Sequence, residues 1–136
     1  MSARSKARKR ALDVLYEADL RGIAAIDVLE SRHETLEAGV NPYTEEIVHG
    51  VIDHSGRIDD LLSTYSQGWS VDRMPAVDRN VLRIGTWELL WGEVPENVAI
   101  SEAVELARAL STDESPGFVN GLLARLLEVK PQLALD

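Results

Sequence analysis

Five prolines, at positions 42, 75, 95, 116 and 131, divide this chain into stretches that each carry helical periodicity. Proline suits the first turn of a helix, but in the interior it removes a hydrogen bond and clashes with the preceding turn. The chain therefore reads as six helices bounded at these positions. The first runs from about Arg4 to Leu20, with Ala7, Ala11, Val14, Leu15 and Ala18 at helical spacing and Arg21-Gly22 as its stop. A short, polar second helix is expected near Asp27 to Glu37, with Leu29, Arg32 and Leu36 on one side. The third starts with Asn41 as cap and Pro42 as first residue, steps through Ile47, Val51, His54, Ile58, Leu61 or Leu62 and Tyr65, and stops before Gly68.

After Pro75, Val77, Val81, Ile84 and Trp91 form the stripe of a fourth helix, widened by Leu82 and Leu89; Glu88 falls inside it. Val98 to Leu110 makes a fifth, with Ile100, Val104, Ala107 and Leu110 expected inward. In the sixth, Ser115 caps, Pro116 leads, and Phe118, Val119, Leu122, Leu123, Leu126 and Leu127 form a broad apolar face. No period-2 strand pattern or internal repeat is evident. The fold class is thus all-α: one domain over 1–136, with Gly68-Trp69 as a seam between three-helix halves, 1–67 and 69–136.

A chain of 136 residues can bury an adequate core without staples. It has no cysteine, which excludes disulfides and thiolate metal sites and is compatible with a cytoplasmic location. No apolar run reaches the roughly 18 residues of a membrane helix, and no apolar segment of a signal peptide follows the basic N-terminus. No membrane association is expected.

The formal net charge of −9 argues at first against nucleic acid, but its distribution reverses that. Arg4, Lys6, Arg8, Lys9 and Arg10 give the first ten residues +5 with no acid, so the other 126 carry −14. Such asymmetry marks an anion-binding arm, with an incidental basic tail as the bland alternative. On a helix, Lys6 and Arg10 share one face and Arg4 and Arg8 another. These cations oppose the helix dipole, an arrangement that a phosphate partner would relieve.

Catalytic chemistry finds little footing. Glu45, His49 and Asp53 stand four apart on one helix, but His49 lies about 200° from Ile47 around the axis, so the row faces water. His54 falls on the apolar face and reads as a core histidine. With His33 the third histidine, zinc at that row would need more ligands brought in from elsewhere, and neither a phosphate-binding glycine loop nor a nucleophile motif is present. No enzyme activity, cofactor or metal is expected. Asn120 and Gly121 are poor helix formers inside the last helix; Gly121 suggests close helix packing, and Asn120 either a loop cap or an RNA contact.

Four segments, in order, resemble the NusB family. Arg8 to Tyr16 is similar to its opening, which joins basic residues to an Ala…Leu-Tyr helix. Asp78-Arg79-Asn80-Val81-Leu82-Arg83-Ile84, with Glu88 beyond, resembles the central helix. Val98 to Arg108 resembles an INEAVELAK-like segment, with Ser101 where Asn is usual, and Phe118-Val119-Asn120-Gly121 matches an FVNG signature. Positions 22–41 match weakly.

The resemblance implies two three-helix bundles and a transcription antitermination factor that binds the boxA element of ribosomal RNA leader transcripts. It acts together with NusE, a small-subunit ribosomal protein, in the RNA polymerase antitermination complex. By position, Arg4, Lys6, Arg8, Lys9 and Arg10 correspond to the RNA arm and Glu114, Phe118 and Asn120 to its continuation. Tyr16 and Asp78 fall where the family meets NusE. Tyr16 and Phe118 are also readable as core aromatics and Asp78 as a helix cap, while Arg83 and Glu88 read as a structural ion pair. Two alternatives stay open. One is the RNA-recruiting module of an RNA methyltransferase; the other is a structural helical homodimer, for which Trp69, Trp87 and Trp91 could supply either interface or core.

Overall fold

The computed structural model describes residues 2–36, 39–67 and 69–135. Among the described residues every regular element is helical: α1 Ala3–Arg21, α2 Ala25–Thr35, α3 Pro42–Asp53, α4 Ser55–Tyr65, α5 Ala76–Leu90, α6 Glu96–Leu110 and α7 Ser115–Val129, with short 3-10 turns at Val71–Arg73 and Lys130–Gln132. No helix is long and apolar enough to cross a membrane among the described residues. Glu37 and Gly68, the expected ends of the second and third helices, lie outside the described residues.

α5 is the axis of the fold. It packs against α1, α3, α4, α6 and α7, and its buried residues run from Asp78 to Leu90 around most of its circumference. Its N-terminal end meets the end of α1, where Asn80 donates to Asp19 at 2.8 Å; its C-terminal end meets the beginning of α1, where Arg8 meets Glu88. Buried apolar side chains on both sides of position 68, from Ala11 to Leu126, join one continuous cluster. Ile84 and Leu122 are both in it, as their spacing predicted.

α1 is capped at both ends. The Ser2 side chain accepts from the Ser5 N–H at 3.1 Å, and Gly22 takes the left-handed conformation, φ 65°, so that its N–H reaches the carbonyls of Ala18 and Asp19.

Three expectations need correction. The single third helix is two: the backbone leaves helical geometry at His54 (φ −113°, ψ 16°), just before Ser55 and Gly56, both weak helix formers. His54 is half-buried and stacks on Trp91, ring centroids 4.1 Å apart. In α6 the buried face is Ala99, Ala103 and Ala107; Ile100 and Val104 are only half-buried, and Leu110 is 40% exposed. The reason is close packing, since a Cβ on Gly85 of α5 would lie 3.1 Å from that of Ala103 and 2.8 Å from Leu123 Cδ1. Finally, Gly121 is not a packing glycine, because a Cβ there would meet nothing within 4 Å. Trp87 is core, and Trp69 is half exposed.

The segment matching the central-helix motif is an ionic clamp. Asp19 Oδ2 accepts from Arg79 Nε at 2.8 Å, from Asn80 Nδ2 at 2.8 Å and from Arg83 at 3.4 Å; Arg83 also holds Asp59 bidentately at 2.9 and 3.0 Å. Arg79 further donates to the carbonyls of Val71 and Met74, tying down the link before α5. Burial alone would raise the Asp19 carboxyl, but hydrogen bonds from Arg79 and Asn80 and the charges of Arg79 and Arg83 outweigh it, holding it below its ordinary 3.8. A depressed folded-state value means that this contribution is fully present above pH 3.8 and is lost as pH falls through the folded value. The Asp19→Asn variant is therefore expected to be less stable than wild type at neutral pH, with the gap narrowing as pH falls below 3.8 toward the folded-state value. Urea titrations at pH 7 and pH 3 measure this, and a gap independent of pH would refute it.

Candidate nucleic-acid interface

The five cations of α1 do not share a surface. Helical geometry spreads them around the axis, and the packing of α1 on α3 and α5 selects which stay outside. Lys6, Lys9 and Arg10 are exposed and, among the described residues, form no ion pair. Lys6 and Arg10 also line an open groove of about 790 Å³ bounded by α1, α2 and the start of α3, together with Tyr16 and Arg32.

Arg8 points the other way, a correction to the expected exposed arm. It is 2% exposed, and its Nε donates to both carboxylate oxygens of Glu88 at 2.8 and 3.0 Å; Glu88 is 1% exposed. Arg8 Nη1 lies 3.2 Å from Glu102, whose carboxylate also accepts from the Ser5 hydroxyl at 2.6 Å. The expected Arg83–Glu88 pair is thereby replaced by two, Arg8–Glu88 and Arg83–Asp59, because Arg83 lies five residues earlier on α5 and faces α4 and the end of α1.

Tyr43, at the start of α3, completes this arrangement. Its hydroxyl donates to Glu88, and the Arg4 guanidinium lies over its ring, 4.6 Å from the centroid. Burial would favour the neutral form of Arg8, but the hydrogen bond and charge of Glu88 more than offset it, so the guanidinium sits above its ordinary value. Burial, then the bond to Glu88 and its negative charge, push the Tyr43 hydroxyl upward as well, so it remains a donor.

The remaining candidate residues lie apart from the arm. Phe118 is half-buried and Glu114 exposed; both line a recess with Trp69, Pro75 and Asp78 at the N-terminal end of α5, and the Trp69 and Phe118 rings are 6.1 Å apart. Ten residues of α5 separate Asp78 from Glu88, about 15 Å of helix, so this recess and the Arg8 level stand well apart. Asn120 is exposed and faces the opposite way from Phe118, about 200° around α7. It borders a shallow furrow with Asn97, Ile100, Ser101 and Leu127. One base cannot touch both Phe118 and Asn120.

Tyr16 is half-buried, with part of its ring open to the groove along α1. Asp78, by contrast, is 5% exposed, a second correction: its oxygens accept from Ser111 at 2.6 Å and Ser115 at 3.0 Å. Ser115 also accepts from the Thr112 N–H, so Asp78 holds the turn that starts α7 rather than presenting its charge outward. The Glu45, His49, Asp53 row faces solvent as expected, with Glu45 paired to His33, and among the described residues no group could hold a metal ion.

Tyr43, Ser5 and Glu102 were not legible as parts of this site. The one available signal was Glu88 itself, a carboxylate inside an apolar stripe that required a cationic partner.

Among the described residues the regular structure is wholly helical and exposed cations without ion pairs gather on the outer side of the first helix, which defines a small all-α protein with a basic stripe on an acidic body. The chain belongs to the NusB family, which it matches over residues 5–128. It is 63% identical over 134 residues to the transcription antitermination protein NusB of Arthrobacter sp. (strain FB24), covering 98% of each chain. Among solved structures it resembles T. maritima NusB, with a TM-score of 0.82 and 32% identity over 97% of this chain and 99% of that one. It also resembles a chain in the complex of the antitermination factors NusB and NusE with dsRNA, with a TM-score of 0.77 and 27% identity over 93% and 96% of the two chains.

Proposed function

We propose that this protein is a transcription antitermination factor that binds boxA RNA of ribosomal RNA leader transcripts together with NusE. It works in the cytoplasm as part of an RNA polymerase complex and performs no chemical step of its own. The observation that carries this reading is the stripe of Lys6, Lys9 and Arg10, exposed and without an ion pair among the described residues, on a helix whose inner side is locked to the core, in a chain of net charge −9.

In this reading the stripe and Arg4 meet backbone phosphates, while the recess at Phe118, Trp69 and Glu114 and the Asn120 furrow receive separate nucleotides of one extended RNA. Stacking on Phe118 or Trp69 is the chemistry that single-stranded RNA offers such a recess. Tyr16, at the surface of α1, meets NusE directly; Asp78 acts only through the α6–α7 turn that it holds. The acidic body attracts a basic ribosomal protein.

The test is competition binding with purified NusE present. The expected result is a preference for boxA over a scrambled RNA of equal length, larger with NusE than without. Equal affinity for the two RNAs in the complex would refute the proposed function.

A further inference from the structure

We infer that Glu88, a residue with no access to RNA, is a positioning residue for RNA binding: through Arg8 and Tyr43 it sets the direction in which Lys6, Lys9 and Arg10 point. This inference rests on the reading that the stripe meets RNA.

The first two turns of α1 need an external hold. They carry five cations and no acid at the end of the helix where the backbone dipole is already positive, and the first N–H groups have no partner within the helix. Besides the packing of the buried Ala7, a few polar contacts hold them. Ser2 caps Ser5, Thr44 Oγ1 donates to the Ala7 carbonyl at 2.9 Å, Ser5 reaches Glu102, and Arg4 covers Tyr43. Arg8–Glu88 is the ion pair in this set with both partners buried, and Glu88 also takes the Tyr43 hydroxyl, so one carboxylate holds Arg8 directly and fixes the ring over which the exposed Arg4 lies.

Burying Arg8 also fixes the rotation of α1 about its axis. At about 100° per residue, Lys6 and Arg10 then fall about 160–200° from Arg8 and Lys9 about 100° away, which is the exposed side. Without the anchor the cations remain but the pose is lost, and ordering them becomes part of the work of binding.

The sign of one substitution separates positioning from simple charge. Glu88 is a negative charge on the inner side of α1, across the helix from the cationic stripe. By Coulomb attraction alone, removing it should strengthen RNA binding. If Glu88 positions the stripe, Glu88→Gln should weaken it.

The experiment uses the full chain and a single-stranded RNA oligonucleotide carrying boxA, with Kd measured across a salt series and amide hydrogen exchange recorded in parallel. For Glu88→Gln the expected result is roughly tenfold weaker binding, with a log–log salt slope shallower by about 0.7–1.4, equivalent to one or two lost phosphate contacts. Amides of residues 3–10 should exchange faster while those of α6 and α7 do not, a pattern that general destabilisation would not give. The double variant Arg8→Met with Glu88→Met replaces the buried pair by apolar side chains, a swap that folded proteins often tolerate. It should restore the wild-type slope.

Glu88→Gln binding as tightly as wild type, or more tightly, would overturn the inference. Should Glu88→Gln not fold, the double variant decides through amide exchange at residues 3–10: protected amides with the wild-type slope, or loosened amides with a lowered slope, support positioning, and loosened amides with the wild-type slope overturn it. Lys9→Ala with Arg10→Ala is the control. If that variant binds RNA normally, it is the RNA reading of the stripe that fails, not the role of Glu88.

Discussion

Replacing Arg8 with alanine is expected to cost about 3–5 kcal/mol of folding stability, because it strips the partner from a carboxylate with almost no access to water. Glu88 would keep the Tyr43 hydroxyl but lose a guanidinium donating to both of its oxygens. The same substitution at Lys9 or Arg10, whose side chains are exposed and form no ion pair among the described residues, should change stability by no more than about 0.5 kcal/mol. Urea denaturation at neutral pH measures the difference. A loss at Arg8 as small as that at Arg10 would show that the buried pair contributes little to the fold. The contrast lies entirely in helical phase. Three adjacent basic residues, Arg8, Lys9 and Arg10, are alike as letters, and the packing of α1 on α5 gives the first one a structural role and leaves the other two for a partner.

Arg8 also marks the limit of what a charge pattern conveys. The sequence concentrates +5 within ten residues, which identifies an anion-binding arm, but the direction of each side chain depends on what packs beneath the helix. The apolar residues Ala7, Ala11, Leu12, Val14, Leu15 and Ala18 already define the inward side of α1, and Arg8 lies in that arc. Its burial was therefore readable in the periodicity. Its partner was not, since Glu88 is 80 residues away and only the fold brings them together.

The same division runs through the fold. α1, α5 and α7 were legible because their apolar stripes are wide and their ends carry caps or prolines. The break at His54 was not, because Ile58, Leu61 and Leu62 keep the helical spacing of the preceding residues, and Ser55-Gly56 only weakens a helix without forbidding it. In α6 the larger residues Ile100 and Val104 drew the inward assignment, whereas close approach to Gly85 favours the alanine face. Size predicts burial poorly where two helices pack closely. Asp78 shows a similar limit: the family motif gave its position beside a helix-cap reading, but the two serines on the α6–α7 turn that hold it could not be read from that motif.

The triple variant Lys6→Ala, Lys9→Ala, Arg10→Ala should bind every single-stranded RNA more weakly and flatten the log–log salt dependence by about 2, at roughly 0.7 per lost phosphate contact. It should leave the fold intact, because none of the three side chains is buried or forms an ion pair among the described residues. Phe118→Ala should act differently: a loss of about 1–3 kcal/mol in RNA affinity, the size of one stacking contact, with the salt slope unchanged. The separation of the two sites along α5 gives the comparison its force. Contacts at the stripe and in the recess share no side chain, so the losses from the triple variant and from Phe118→Ala should add within about 0.5 kcal/mol when combined. Titrations of the three proteins against boxA and scrambled RNA at several salt concentrations supply all of these quantities. A triple variant with an unchanged slope would remove the stripe from the interface. Strongly non-additive losses would mean that the two sites are read as one, contrary to their placement at opposite ends of α5.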